Sequence, residues 1–152
     1  MAKSEFVYVT YIKTTPEKLW KALTNPEFQR QYWIGMHINT DWKKGSAWTL
    51  EFPNGDIADQ GTVLECKPFK RLVLKWKNIW KTGLDKEGYS RCAMDLEPNE
   101  DAVKLTVTHS SPKDNSKLIK AVSGGWPMIL SNLKSLLETG KIVKTMSDCK
   151  KD

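Results

Sequence analysis

The stretch that decides the fold is SGGWPMILSNLKSLLETG, residues 123–140. Its apolar positions continue a stripe that begins upstream: Leu118, Val122, Trp126, Ile129, Leu133 and Leu136 recur at steps of three and four, with Leu130 and Leu137 widening the face. That spacing predicts one amphipathic helix from about Ser116 to Glu138. Inside it stand Gly124, Gly125 and Pro127. An interior proline costs a helix about 3 kcal/mol and each glycine about 1 kcal/mol relative to alanine. Because the stripe keeps its phase across Gly-Gly-Trp-Pro, a single bent helix is favoured over two, although Pro127 at the first position of a separate helix is the rival reading. Two roles are open to the break. It admits close approach of another backbone at the glycines, with Trp126 reaching a curved sheet, or it simply improves packing.

The rest of the chain supplies that sheet. EFVYVTYIK (residues 5–13) is rich in β-branched and aromatic residues and predicts a strand. In TTPEKLWKALTNP, Thr15 suits a cap, Pro16 the first helical position, and Leu19, Trp20 and Leu23 an apolar stripe. Asn25-Pro26 closes this helix and opens a short second one to about Arg30. Six strands are predicted next, at residues 36–40, 47–52, 57–66, 72–76, 89–96 and 103–109, separated by local turns. Asn54-Gly55 predicts a hairpin of the type that needs positive φ at both central residues. Short connections imply an antiparallel meander.

Alternation then assigns faces. Leu72, Leu74 and Trp76 turn inward against Lys75 and Lys77; Val103, Leu105, Val107 and His109 turn inward against Lys104, Thr106 and Thr108. Trp48, Leu50 and Phe52 are inward, as are Cys92, Met94 and Leu96. In GTVLEC the outward Glu65 implies inward Thr62 and Leu64. The long helix covers this apolar face.

A chain of 152 residues has length for one domain with a real core. No apolar run is long enough to span a bilayer, and the first residues lack a secretory leader pattern, so a cytoplasmic location without membrane insertion is expected. Cys66, Cys92 and Cys149 form no C-x-x-C pair, which indicates free thiols. The formal charge is +6, but only Arg30, Arg71 and Arg91 are arginine and the lysines are scattered, which argues against nucleic acid as a partner. His37 and His109 offer no metal-ligand spacing, and no nucleophile elbow, phosphate loop or dinucleotide fingerprint occurs. No catalytic residue, metal or cofactor is therefore indicated. Asp41, Asp56 and Asp59 fall on or near turns and are read as solvated.

Four segments, TTPEKLWKALTNPEFQRQYW, DWKKGS, GTVLECKPFKRLVLKW and GWPMILSNLKSLLETG, together resemble the activator of heat shock protein 90 ATPase-like family, within the START-like, birch-pollen-allergen-like helix-grip superfamily. The resemblance spans residues 5–140 and implies an α+β helix-grip domain of order β-α-α-β6-α, with 141–152 a flexible tail. It also implies a cavity between the sheet and the C-terminal helix. Ligand carriers, aromatase/cyclase-like enzymes and a stress-response co-chaperone domain share that fold. The expected function is binding of a hydrophobic or aromatic small molecule, with a chaperone-associated interaction domain as the alternative and cyclase-like catalysis as the third reading.

Residues expected at such a cavity are Trp33, Trp48, Leu50, Phe52, Thr62, Leu64 and Leu74 from the helix junction and first strands. Trp76, Met94, Leu105, His109, Trp126 and Leu130 complete the set. His109 is placed either as a polar handle for a ligand or as a satisfied strand-end histidine. Whether these side chains surround a void or fill it is open.

Overall fold

A computed structural model describes residues 3–81 and 83–143. Strand β1 (Ser4–Ile12) leads into helices α1 (Pro16–Thr24) and α2 (Pro26–Tyr32). Strands β2 (His37–Asn39), β3 (Ala47–Glu51), β4 (Ile57–Lys67), β5 (Arg71–Asn78), β6 (Ser90–Asn99) and β7 (Ala102–Ser111) follow, and α3 (Lys117–Thr139) closes the order. The curved seven-stranded sheet is antiparallel throughout and runs β1-β7-β6-β5-β4-β3-β2. This is the α+β helix-grip arrangement.

Local chemistry sets the helix ends. Thr15 Oγ1 accepts from the Lys18 amide at 3.2 Å, and Pro16 occupies the first turn, where a missing N–H costs nothing. Asn25 serves both short helices: its amide donates to Lys21 O at 2.8 Å, and its Oδ1 accepts from the Glu27 amide at 2.8 Å. One residue thus ends α1 and starts α2. The fully buried Gln29 then ties α2 to β2, donating to Leu23 O at 2.7 Å and accepting from the Ile38 amide at 2.8 Å.

The Pro53-Asn54-Gly55 turn is a hairpin of a different kind from the one the Asn-Gly pair suggests. Only Gly55 has positive φ (94°), and its amide bonds to Phe52 O at 2.9 Å while the Phe52 amide bonds to Asp56 O. Pro53 restricts φ at the first turn position, which is incompatible with the two left-handed residues first expected.

The face assignments hold for β5, β6 and β7 and for Trp48 and Leu50 of β3: these two with Leu72, Leu74, Trp76, Cys92, Met94, Leu96, Val103, Leu105, Val107 and His109 are all buried, whereas Phe52, expected inward with them, lies past the end of β3 and is only half-buried. In β4 they are reversed. Val63 is fully buried, Leu64 is exposed, and Thr62 lies opposite the outward pair Ala47 and Lys75. The register shifts between Val63 and Glu65, so Leu64 is the extra residue of a bulge and the outward Glu65 no longer reports the phase before it.

Gly61 stands between two tryptophans, opposite Trp48 on β3 and Trp76 on β5. A Cβ there would lie 1.7 Å from Lys75 O and 2.9 Å from Trp48 Nε1. The missing side chain lets the Trp48 indole cross the strand and donate to Lys75 O at 3.0 Å.

Helix α3 is continuous through Gly-Gly-Trp-Pro, as the unbroken phase requires. Its buried residues include Leu118, Trp126, Leu130 and Leu133. The expected close approach at the glycines is absent, because a Cβ on Gly124 or Gly125 would meet nothing within 4 Å. Asn132, also buried, donates to Tyr32 O at 3.3 Å and accepts from the Val143 amide at 2.9 Å, so residues 141–143 turn back on the helix. The remainder of the expected tail, 144–152, and Cys149 with it, lies outside the described residues.

Candidate functional site

The site begins with four indoles brought together from four separate parts of the chain. Trp33 follows α2, Trp48 lies on β3, Trp76 on β5 and Trp126 on α3. The Trp76 ring has its centroid 4.6 Å from that of Trp48, 5.8 Å from Trp126 and 6.4 Å from Trp33, and Trp33 and Trp126 lie 5.5 Å apart. Tilted and edge-on geometries dominate, the arrangement that ring quadrupoles favour, each such pair adding about 0.5–1.5 kcal/mol beyond burial.

Between this cluster and α3 lies a cleft of about 160 Å³ lined by Trp33, Leu50, Asp59, Trp76, Asn78, Lys81, Leu84, Leu118, Ala121, Val122, Gly125, Trp126 and Ile129. Gly125 stands in the wall of this space, and a Cβ there would meet nothing within 4 Å. Val122 and Ile129 are half-buried: they line that space while packing against the core.

Of the residues expected at a cavity, the structure brings Trp33, Leu50, Trp76 and Trp126 to the cleft. Trp48 is 1% exposed and lies behind Trp76. Leu74, Met94, Leu105 and Leu130 are packed into the core and do not line it. Phe52 sits at the hairpin, its ring 5.0 Å from that of the exposed Trp80. Thr62 and Leu64 are corrected to the outer face and the bulge, so neither reaches the cleft.

His109 is not a free polar handle. It is fully buried, with the Trp126 indole N–H donating to Nδ1 at 3.2 Å and Ser90 Oγ 2.8 Å from Nε2. Since Nδ1 accepts, the neutral ring carries its proton on Nε2 and donates to Ser90, whose hydroxyl donates in turn to Trp76 O at 3.1 Å. Burial pushes the imidazole down to about 4. His37 lies on β2 beside Glu51, at the far end of the sheet from β7. Among the described residues no group of three or more His, Cys, Asp or Glu side chains is placed to hold a metal ion.

Asp59 lies in a different environment from the one its neighbouring turn residues suggest. It is not solvated at a turn but lies in β4, 8% exposed, opposite Leu50 and Asn78. Asn78 Nδ2 donates to Oδ1 at 2.6 Å. Burial raises its carboxyl to about 6, against the opposing pull of the Asn78 and Trp76 donors and of the Lys81 charge. Period two from Gly61 could have found it: Asp59, Gly61 and Val63 share one face, and Gly61 marks that face as the close-packed one.

The segment between β5 and β6 forms the rim. Leu84 lines the cleft, and Glu87, in a single 3₁₀ turn at Asp85–Glu87, fastens the segment to the start of α3. Its Oε1 accepts from Ser116 Oγ at 2.6 Å and its Oε2 from the Lys117 amide at 2.7 Å. Burial opposes ionisation of Glu87, but these donors and the Leu118 amide outweigh it and hold the carboxyl below its usual range.

Comparisons with known proteins bear on the fold and the family. A search of functionally curated proteins returns no significant match. Among solved structures, the chain is similar to protein MLL2253 from Mesorhizobium loti, at 23% identity and a TM-score of 0.75 over 88% of this chain and 96% of that one. It is similar to the Aha1 protein from Colwellia psychrerythraea, solved as a dimer, at 23% identity and a TM-score of 0.74 over 91% and 98%. It is also similar to DynU16, a protein of the dynemicin biosynthetic locus, at 22% identity and a TM-score of 0.77 over 93% of this chain and 50% of that one. These likenesses carry the fold. The profile of the family described as Activator of Hsp90 ATPase homolog 1-like protein matches residues 13–138, from the end of β1 to the last turn of α3, and the chain belongs to that family.

Proposed function

We propose that this protein binds a hydrophobic or aromatic small molecule in the cleft between the sheet and α3. The observation that supports this most is Gly125 in the cleft wall. A helix built only to cover a sheet gains about 1 kcal/mol from alanine at such a position, yet here a glycine keeps open the space in front of three indole rings. The size suits a small occupant, since about 160 Å³ lies below the roughly 300–1,000 Å³ of pockets for drug-sized ligands. One or two rings, or a short alkyl chain, fit best.

Thermal unfolding with indole, naphthalene and decanol as probes tests this, with Gly125→Leu as the blocked control. Binding to the folded state alone stabilises by RT ln(1 + [L]/Kd), about 2.7 kcal/mol at a hundredfold excess over Kd. A concentration-dependent rise in Tm in the wild type, abolished by Gly125→Leu, supports the reading; no rise with any of the three contradicts it.

A second reading, a chaperone-associated interaction domain, draws on the family's description and on the exposed Trp80, which is 58% accessible beside Phe52. Co-purification of an Hsp90-type chaperone with the wild type but not with Trp80→Ser would support it. Recovery of no such chaperone with the wild type would count against it.

A further inference from the structure

The cleft is apolar except at one end, and that end narrows the class of ligand. Asp59 lies there, on the inward face of β4, with Asn78 Nδ2 2.6 Å from Oδ1. A carboxyl this deeply buried costs several kcal/mol unless its charge is compensated, and the Asn78 and Trp76 donors beside it are both neutral. A position that needed only filling would be served by leucine or asparagine. Lys81 also reaches the cleft, but its side chain is exposed, so its charge acts on the site through solvent, whereas that of Asp59 acts through the protein interior. The stretch of α3 facing the same space offers Leu118, Val122, Gly125 and Ile129, none of which can carry charge.

The indoles point the same way. Trp33, Trp76 and Trp126 line the cleft with ring centroids 5.5–6.4 Å apart. Their faces are electron-rich and attract cations, with tryptophan the strongest of the aromatic side chains in this respect. A carboxylate beside such rings forms an environment that favours positive charge twice, and disfavours an anionic guest by like-charge repulsion in a low dielectric.

We propose that the cleft selects an aromatic molecule bearing a protonated amine, its ring among Trp33, Trp76 and Trp126 and its ammonium group directed at Asp59. This rests on the ligand-binding reading above and specifies its chemistry.

Isothermal titration at pH 7 with three probes that share one indole body but differ in charge tests both levels separately: tryptamine (cationic), tryptophol (neutral) and indole-3-propionate (anionic). A charge-assisted hydrogen bond predicts that tryptamine binds roughly tenfold or more tightly than tryptophol, with the propionate weakest. In Asp59→Asn, which keeps an acceptor for Asn78, tryptamine falls to the affinity of tryptophol while tryptophol itself is unchanged. Equal binding of tryptamine and tryptophol, a preference for the propionate, or an amine preference that survives Asp59→Asn overturns the proposal and leaves the cleft a ligand site. Failure of all three probes to bind overturns both. The wild-type charge series decides the question whatever the stability of the variant.

Discussion

The indole N–H of Trp126 donates to Nδ1 of His109 at 3.2 Å, so the long helix is fastened to β7 through a ring nitrogen that must stay unprotonated. Burial holds His109 at about 4, below the usual 6.5. Between these values the unfolded chain binds a proton that the native state refuses, so stability rises with pH across that window. The contribution is fully present above about pH 6.5 and lost as pH falls towards 4, up to about 3 kcal/mol. Urea unfolding of the wild type and of His109→Gln at pH 4.5 and 7 checks this: the wild type should show the larger loss on acidification. Equal losses would mean that the native ring accepts the proton freely.

Asp59 works in the opposite direction. Its carboxyl is raised from 3.8 to about 6, so in that window the native state holds more protons than the unfolded chain and stability falls as pH rises. Asp59→Asn removes this penalty. The variant should be more stable than the wild type at pH 7, by up to about 3 kcal/mol, with the gain vanishing near pH 4. Denaturant midpoints at the two pH values measure it, and a loss of stability at pH 7 would show that the carboxylate is better compensated than its surroundings indicate.

Gly61→Ala should be among the most damaging single-methyl additions in the chain. The new Cβ would fall 1.7 Å from Lys75 O, a backbone atom, and against Trp48 Nε1. Relief requires parting β4 from β5 at this point, which also disturbs the Trp48 hydrogen bond to Lys75 O, at about 3 kcal/mol or more. The unfolding midpoint and the near-ultraviolet circular dichroism of the coupled indoles should both change. An unaltered spectrum with unaltered stability would contradict the packing at Trp48.

The two helix glycines should behave alike in stability and differently in binding. Alanine at either meets open space, so each substitution should stabilise by roughly 0.5–1 kcal/mol through helix propensity and a less flexible unfolded chain. Only Gly125 lines the cleft, so only Gly125→Ala should weaken ligand binding. Thermal unfolding with and without tryptamine separates the two effects. Equal binding by both variants would remove Gly125 from the site.

Much of this was legible in the residues. Caps at Thr15 and Asn25 and the phase of α3 report local backbone and helix-face requirements, which sequence states directly. Inward faces could be read wherever a charged residue alternated with apolar ones without interruption, as at Lys75 and Lys77. The bulge at Leu64 broke that inference in β4, because one inserted residue exchanges the faces on either side of it. Of the residues at the proposed cleft, Leu50 and Trp76 follow from alternation and Trp126 from helix phase, Trp33 was expected only as one of the tryptophans near the helix, and Asp59 was masked by its neighbourhood of turn residues. The role of Gly125 depends on an empty volume, which no spacing of residues encodes.

The most direct test of the central claim is an ¹H–¹⁵N correlation titration of the uniformly labelled protein with tryptamine at pH 7. The account predicts saturable shifts at the amides of Lys81, Leu84, Val122 and Gly125 and at the indole N–H signals of Trp33, Trp76 and Trp126, all fitting one Kd. Saturable shifts centred elsewhere, or none at millimolar probe, would contradict a ligand site between the sheet and the long helix.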